Sequence, residues 1–257
     1  MKGGLLNETT RPGLTTIRQE VKYLFEPQEA QKRFAMLGKR IPEKIVGGCA
    51  TSYRVSVYLD TSQYDLCRAE LQSNGRSVKL RVKDYYLYDG YRPVIGDKYW
   101  LEAKVRVGTT VEKSRFAVEK RAVEKALQHG ITERLSPREQ EAAEAFETIR
   151  NGRTLFPVFI VHYRRTTLQD TELNLRLTFD EIVTYHRPLK GLFVLYDGIS
   201  RQVLPPPLKV ETKWVVELKV SGSVPPFIEE ILDPARQVNY SKFGVGVREL
   251  ERIGLLR

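Results

Sequence analysis

Six short stretches of this chain alternate charged and apolar residues with a period of two. In residues 78–83, for example, Lys79, Arg81 and Lys83 alternate with valine and leucine. The same pattern recurs in residues 17–22, 101–105, 113–115, 175–180 and 216–220. Because side chains on a strand point alternately to its two faces, the pattern predicts strands with one apolar and one charged face. The fold must bury the apolar faces, and the charged faces must meet either water or one another.

Helical segments lie between the predicted strands. The clearest begins at Ser136, which Pro137 and Glu139 follow at the positions of a capping box. It forms the second half of a helical region over residues 119–150. About eight antiparallel strands with helices between them predict an α+β fold. In that fold the sheet closes, or nearly closes, into a barrel with the helices packed outside.

The chain has 257 residues, of which 41% are hydrophobic, enough for one domain with a core. We expect residues 1–15 to be an N-terminal tail and residues 16–257 to form a single domain. Residues 89–97 are polar, contain Gly and Pro, and predict a link between two strands. A short strand pair is expected around residues 191–198.

The charged faces are mainly basic, in a chain of 42 Lys and Arg against 32 Asp and Glu, with a net charge of +10. For any single strand, a polar face in water is an adequate explanation. Two features favour a closed lumen instead. The tripeptide Glu-x-Lys occurs at 20–22, 102–104 and 217–219 inside predicted strands. On the charged faces of the predicted strands, basic residues outnumber acidic ones about two to one, whereas a solvated face usually mixes the two signs. Such a lumen would repel itself unless an anion filled it, and a phosphate chain is a suitable anion.

The composition also indicates the cellular compartment and excludes some classes of partner. The two cysteines, Cys49 and Cys67, form neither a disulfide framework nor a metal-ligand spacing, which favours a cytoplasmic protein. The apolar runs are too short for a membrane span. Nucleic acid is a less suitable partner, because the patterned charges lie on strands and no nucleic-acid-binding motif is present.

The motifs of the predicted strands resemble the VTC branch, the polyphosphate polymerase domains, of the CYTH or triphosphate tunnel metalloenzyme superfamily. Seven motifs occur in the family's order and span nearly the whole chain. They are residues 58–61 with Tyr64, 79–83, 101–104, 163–166, 176–180, 216–219 and 241–243. The resemblance implies an eight-stranded antiparallel β-barrel that forms a tunnel. It also implies transfer of the γ-phosphate of ATP to polyphosphate with Mn²⁺ or Mg²⁺.

The resemblance carries over to individual positions. It implies catalytic roles for Arg81, Lys104, Arg164 and Arg176. It implies phosphate binding by Lys22, Lys79, Lys83, Lys113, Arg115, Lys219 and Lys242. It implies metal binding by Glu217, with Glu20 and Glu102 as further candidates. Ion pairs with neighbouring lysines explain Glu20 and Glu102 equally well. Lys83 departs from the family, which usually has Arg there, so a point charge replaces a bidentate fork.

Three functions are compatible with these residues. The first is an ATP-dependent polyphosphate polymerase. The second uses the same cations with water as the acceptor, which gives a tripolyphosphatase or nucleoside triphosphatase. The third is a binding module for polyphosphate or nucleotides that has lost catalysis. The sequence identifies neither the acceptor nor the oligomeric state.

Overall fold

The structure, a computed structural model, describes residues 18–72, 75–108, 110–132, 134–188 and 204–256. Within these ranges the strands are β1 (Arg18–Phe25), β2 (Thr51–Asp60), β3 (Arg76–Asp89), β4 (Arg92–Ile95), β5 (Lys98–Val107), β6 (Thr110–Glu119), β7 (Phe156–Asp170), β8 (Leu175–His186), β9 (Pro207–Glu211) and β10 (Trp214–Ser221). The helices are α1 (Pro27–Gly38), α2 (Asp65–Leu71), α3 (Val123–His129), α4 (Pro137–Arg150), α5 (Pro226–Leu232) and α6 (Lys242–Arg252). The predicted tail at 1–15 and the predicted strand pair at 191–198 lie outside the described residues.

All the strand ladders are antiparallel and form one sheet. Eight strands follow the order β1-β10-β8-β7-β2-β3-β5-β6, with β4 added to β3 and β9 added to β8. The predicted α+β fold is confirmed, as a curled antiparallel sheet with helices packed around it. In the part of the chain that the structure describes, no ladder joins β1 to β6, so the sheet curls without closing by hydrogen bonds.

The convex side of the sheet carries the apolar faces that the alternation predicts. Helices α3 and α4 cover β2, β3, β5 and β6, where Phe116 and Phe146 meet edge to face at 5.7 Å. Helices α1 and α5 cover β1, β8 and β10, where Phe34 meets Phe179 at 5.1 Å. Each fully buried large apolar side chain contributes roughly 1.5–3 kcal/mol of transfer free energy. These two cores hold the strands so that their other faces turn inward.

Helix α6 packs on the concave side, against β7 and β2. Its Phe243 contacts Tyr58 and Phe159, which stack on each other at 4.7 Å. Gly246 lies so close to Phe159 that a Cβ at this position would come within 2.2 Å of the ring. Glycine is therefore required for the close approach of helix and sheet. The helix covers an apolar part of the concave face and reaches the charged part with its first residues.

Two segments differ in detail from the sequence expectations. The predicted link at 89–97 contains β4, which forms a hairpin with β3 through a turn at Gly90, with a φ of 57°. Its Pro93 is tolerated because β4 lies at the margin of the sheet. The helical region over 119–150 is divided at Gly130, whose φ is 98°. The predicted capping box at Ser136 is confirmed, since its hydroxyl accepts from the backbone N–H of Glu139.

Candidate functional site

The curl of the sheet brings charged residues from strands at opposite ends of the strand order to one place. The Nζ of Lys104 on β5 lies 3.9 Å from Oε1 of Glu20 on β1. We call the space enclosed by the concave face the lumen. Of the residues proposed from the sequence, those on this face or reaching it from α6 are Glu20, Lys22, Lys79, Arg81, Lys83, Glu102, Lys104, Lys113, Arg115, Arg176, Glu217, Lys219 and Lys242.

Two of the Glu-x-Lys motifs lie side by side where β1 pairs with β10, so that each glutamate is next to a lysine of the other strand. The register places Glu20 beside Lys219 and Lys22 beside Glu217. The Lys219 Nζ lies 2.8 Å from Glu20 and 3.1 Å from Glu217. The Lys22 Nζ lies 3.3 Å from Glu20 and 3.8 Å from Glu217, and donates to the backbone carbonyl of Tyr240 at 3.0 Å. Two lysines therefore hold two carboxylates close together.

The lysines keep both carboxylates ionised. Burial and the neighbouring Glu217 raise the pKa of Glu20, but Lys219, Lys104 and Lys22 outweigh them and lower it to about 2. Burial also raises the pKa of Glu217, yet Lys219 and Lys22 hold it well below its ordinary value. Both groups thus carry negative charge at neutral pH.

This pair of carboxylates fits one part of a divalent metal site. Among the described residues, no three His, Cys, Asp or Glu side chains gather closely enough to enclose a metal. Mg²⁺, however, is usually bound by one or two carboxylates together with substrate phosphates and water. Glu20 and Glu217 provide two ionised oxygen donors of that kind, both in contact with the same lysine.

Glu102 is in a different environment. It is fully buried, and its Oε1 accepts hydrogen bonds from Nε of Arg81 at 2.7 Å and from Nη2 of the same residue. Its Oε2 lies 3.1 Å from Nζ of Lys113. Burial raises the pKa of Glu102, but Arg81, Lys83 and Lys113 together bring it well below the ordinary value. For Glu102, this geometry favours the role of a structural ion-pair partner that orients Arg81, and it does not favour the role of a metal ligand.

A pocket in the lumen collects arginines from four strands, and we call it the arginine pocket. The residues that line it are Lys44, Val46, Cys49, Ala50, Ser52, Arg54, Tyr85, Arg115, Arg165, Thr167, Arg176 and Thr178. The Arg54 guanidinium lies over Tyr85 at 4.2 Å, and that of Arg115 lies over Trp100 at 3.9 Å. No Asp or Glu is among these lining residues. The pocket is therefore strongly cationic and attractive to polyanions.

Helix α6 meets the lumen at its first residues. Lys242 donates to Oδ2 of the fully buried Asp180 at 2.6 Å, and Arg165 donates to both oxygens of the same carboxylate at 2.5 and 2.7 Å. Ser241 accepts from Nζ of Lys79 at 2.9 Å. Asp180 thus ties α6 to the strands and fixes Lys242 at the lumen.

Several lysines of the lumen are in an environment that disfavours their charge. Burial, together with Lys104, Lys22 and Arg81, lowers the pKa of Lys79 to about 8, although Glu70 acts in the opposite direction. Burial likewise lowers the pKa of Lys104 and Lys113, and brings that of Lys83 well below its ordinary value. An anion in the lumen would reverse these shifts.

The structure does not bring Arg164 to the lumen. Arg164 lies on the convex side, where its Nε and Nη2 donate to the two oxygens of Glu181 at 2.7 and 2.6 Å. The next residue, Arg165, lines the arginine pocket instead. Arg54 and Lys44 line it as well and were not proposed from the sequence. Alternation could have indicated Arg54 and Arg165, since both lie in predicted strands, whereas Lys44 lies outside any strand.

The chain matches a known protein family, and several solved structures resemble it at low sequence identity. The family model of the VTC domain matches residues 17–251. Among solved structures, a suggested adenylate cyclase (bh2851) from Bacillus halodurans is 12% identical with a TM-score of 0.49, covering 92% of this chain and 98% of its own. The PH1819 protein of Pyrococcus horikoshii OT3 is 12% identical with a TM-score of 0.42, covering 90% and 99%. The PH1012 protein of the same organism is 13% identical with a TM-score of 0.39, covering 88% and 98%.

No curated protein sequence matches the chain. No helix within the described ranges combines the length and the apolar composition of a membrane span.

Proposed function

This chain belongs to the VTC domain family, and from that premise we propose that it is a metal-dependent phosphotransferase that extends polyphosphate with the γ-phosphate of ATP. The observation that carries the proposal is the convergence of cations around two ionised carboxylates. Lys22, Lys104 and Lys219 all contact Glu20, although they come from three different strands. A chain of phosphates supplies the negative charge that such a site needs, and oxygen acceptors for its donors.

Phosphoryl transfer requires positioning and charge neutralisation more than covalent chemistry from the protein. In the proposed mechanism, Arg81 and Lys104 bind the triphosphate from β3 and β5, and Arg176 and Lys219 bind it from β8 and β10. Arg81 is pre-oriented by Glu102 and by the hydroxyl of Tyr58, which accepts from its Nη1 at 3.2 Å. A guanidinium held in this way loses little freedom when it binds a phosphate oxygen.

The remaining proposed ligands surround these four. Lys22, Lys79 and Lys242 bind the phosphate chain near α6, and Lys83, Lys113 and Arg115 bind it near Glu102. Arg165 takes the place in the lumen that the sequence assigned to Arg164. The arginine pocket presents cations and hydroxyls from several strands, and Asp180 holds one of its arginines, Arg165, by both carboxylate oxygens. We propose that the acceptor end of the polyphosphate lies there.

Glu217 and Glu20 would hold the divalent metal, Mn²⁺ or Mg²⁺. When bound, such an ion neutralises charge on the phosphate oxygens and lowers the barrier to attack at phosphorus. The protein's own part is to keep both carboxylates ionised at neutral pH, which Lys219 and Lys22 do. Lys104, which reaches Glu20 from the opposite side of the lumen, would align the phosphates with that pair.

Incubation of the purified protein with ATP and Mn²⁺, followed by gel analysis of the products, tests the proposal. Long polyphosphate would support a polymerase. Release of orthophosphate alone would support a triphosphatase, and binding without turnover would support a non-catalytic module. The Glu217→Gln variant is the matched control, because it keeps the shape of the side chain and removes its charge. Equal polyphosphate synthesis by this variant would contradict the assigned role of Glu217.

A further inference from the structure

Two hydroxyl groups on the concave face are buried without a hydrogen-bond partner among the described residues. Ser56 and Thr178 are each 2% exposed, and the Oγ of Ser56 and the Oγ1 of Thr178 make no hydrogen bond there. Buried hydroxyls are normally paired, because an unpaired one has given up water without a replacement. Two such groups on one face of a sheet require an explanation.

Thr178 lies on β8 between the cation of Arg176 and the carboxylate of Asp180. The strand register places it beside Thr167 on β7 and beside Glu217 on β10. It is also one of the residues that line the arginine pocket. Thr178 is therefore next to a proposed metal ligand and among the arginines that line the pocket.

Ser56 lies on β2, on another side of the lumen. The register places it opposite Lys83 on β3. Two residues further along the same face is Tyr58, whose hydroxyl accepts from Arg81. Ser56 thus lies between Val161 on β7 and Lys83 on β3, a proposed phosphate-binding residue, and two residues from Arg54 of the arginine pocket.

A neutral donor has an advantage in this setting. Every further cation in the lumen would add repulsion to a group of lysines whose charge burial already disfavours. A hydroxyl offers one O–H donor to a phosphate oxygen and adds no charge. The neighbours of these hydroxyls on the same face include long cations, Lys83 beside Ser56 and Arg176 beside Thr178, which an entering phosphate chain would draw toward itself.

We propose that Ser56 and Thr178 are phosphate-binding residues whose hydroxyls donate hydrogen bonds to the anion that the lumen binds. The inference rests on the proposed function, in that it requires a phosphate chain in the lumen. It differs from that function in assigning part of the binding to uncharged residues. It also accounts for two unpaired groups that a purely structural role leaves unexplained.

Calorimetric titration of the full chain with tripolyphosphate at fixed salt tests this inference. Thr178→Val keeps the shape of the side chain and removes the hydroxyl, and we expect the Kd to rise about tenfold, the usual effect of losing one hydrogen bond to a charged acceptor. Ser56→Ala should raise the Kd by a similar factor. Thr178→Ser, which keeps the hydroxyl, should restore affinity to within about threefold of wild type.

Thermal unfolding without ligand distinguishes binding from structural roles. Because neither hydroxyl has a partner among the described residues, both variants should be as stable as wild type or more stable. Thr184→Val is the matched control on the same strand. Thr184 Oγ1 donates to the carbonyl of His162 at 3.3 Å and contacts Nε2 of His186 at 2.8 Å. This control should lower the Tm and leave tripolyphosphate affinity unchanged.

The outcomes separate the inference from the function on which it rests. If wild type binds tripolyphosphate and Thr178→Val and Ser56→Ala bind it equally well, the inference is wrong and the proposed function stands. If wild type binds no tripolyphosphate, both are wrong. Weaker binding that is accompanied by a lower Tm in the unliganded variants would assign the hydroxyls a structural role and would also overturn the inference.

Discussion

The two faces of the sheet bury charge in different ways. On the convex side, the buried Lys120 and Asp84 form a pair with Nζ and Oδ2 2.8 Å apart, and Arg164 is matched by the two oxygens of Glu181. On the concave side, cations outnumber carboxylates among the described residues, and burial lowers the pKa of Lys79 and Lys83. Each of these convex charges has an opposite charge in contact with it, although burial still raises the pKa of Asp84 above its ordinary value despite Lys120. The concave face instead has an excess of cations, which a bound anion would neutralise.

This difference supports the proposal that the concave face is a binding site, because the two faces differ in the energetics of their buried charges. Burying an ion pair costs desolvation free energy, which the attraction between the two partners largely offsets. A buried cation with fewer opposite charges nearby retains more of that desolvation cost. A protein retains such a group where function requires it, since a packed apolar residue would be more stable. The comparison therefore predicts opposite responses to similar substitutions on the two faces.

The largest expected contrast is in turnover. Arg176→Ala removes a cation from the lumen, and loss of one positioned charge-stabilising group typically lowers kcat about 100- to 1,000-fold. Arg164→Ala removes a cation from the convex side and should leave turnover within about threefold of wild type. Polyphosphate synthesis from ATP and Mn²⁺ measures both. Similar losses in the two variants would mean that the faces do not differ in function.

For stability we expect the opposite contrast, with the larger loss on the convex side. Two Lys→Met substitutions test this expectation. Lys120→Met leaves Asp84 buried without its cation and should lower the free energy of unfolding by about 3 kcal/mol. Lys83→Met replaces an amine whose charge is disfavoured by burial and by Arg81, Lys113 and Arg115, and should leave stability unchanged or raise it. Urea denaturation of each variant provides the measurement. A large loss in Lys83→Met would show that its charge is already compensated in the free protein.

Ligand binding should stabilise the protein through the concave face alone. Tripolyphosphate at about 100 times its Kd should raise the free energy of unfolding by about 2.7 kcal/mol. The gain should shrink as salt screens the lumen. Arg164→Ala should show the same gain as wild type, and Arg176→Ala a smaller one. Thermal unfolding with sodium chloride at matched ionic strength is the control, and an equal shift with that salt would argue against a specific site.

The fold class and most of the residues that line the lumen could be predicted from the sequence, because the strands that carry those residues are regular. In β1, β3, β5 and β10 the period of two runs unbroken, so residues such as Lys79 and Glu217 could be assigned to a face directly. The apolar residues on the opposite faces of the same strands predicted the two cores on the convex side. The VTC motifs added the expectation of a tunnel, and the family match over residues 17–251 agrees with them.

The sequence was insufficient at one pair of adjacent residues and outside the strands. The β7–β8 ladder shifts register between His162 and Arg164, and Ile182 opposite has a φ of 51°. Arg164 and Glu181 pair on the convex side beside this bulge, while the regular alternation of β7 against β2 turns Arg165 to the lumen, and the family motif contains both arginines. Lys44 and Glu70 reach the lumen or its lysines from outside the strands, where no period of two exists. Such positions depend on tertiary packing.

The smallest predicted effect is a pH dependence that has opposite signs for stability and for binding. The pKa of Lys79 is about 8 in the folded protein and higher, at its ordinary value, in the unfolded chain. Between pH 8 and that ordinary value the unfolded chain binds more protons, so Lys79 makes the free energy of unfolding rise with pH. Below pH 8 both states are protonated, and the cost of burying the charge is fully present.

Binding should respond in the other direction, because a phosphate chain prefers Lys79 to be charged. If the bound anion raises the pKa of Lys79 well above 9, the affinity for tripolyphosphate should fall about tenfold between pH 7 and 9 through this residue. The Lys79→Met variant should lose the part of this pH dependence that is due to Lys79. The ionisation of tripolyphosphate itself affects both proteins equally, so it cancels when the two are compared. Titration calorimetry at pH 7, 8 and 9 gives the two slopes. Parallel slopes would show that Lys79 does not change its protonation on binding, and the lumen would then resemble the convex face in having its charges already compensated.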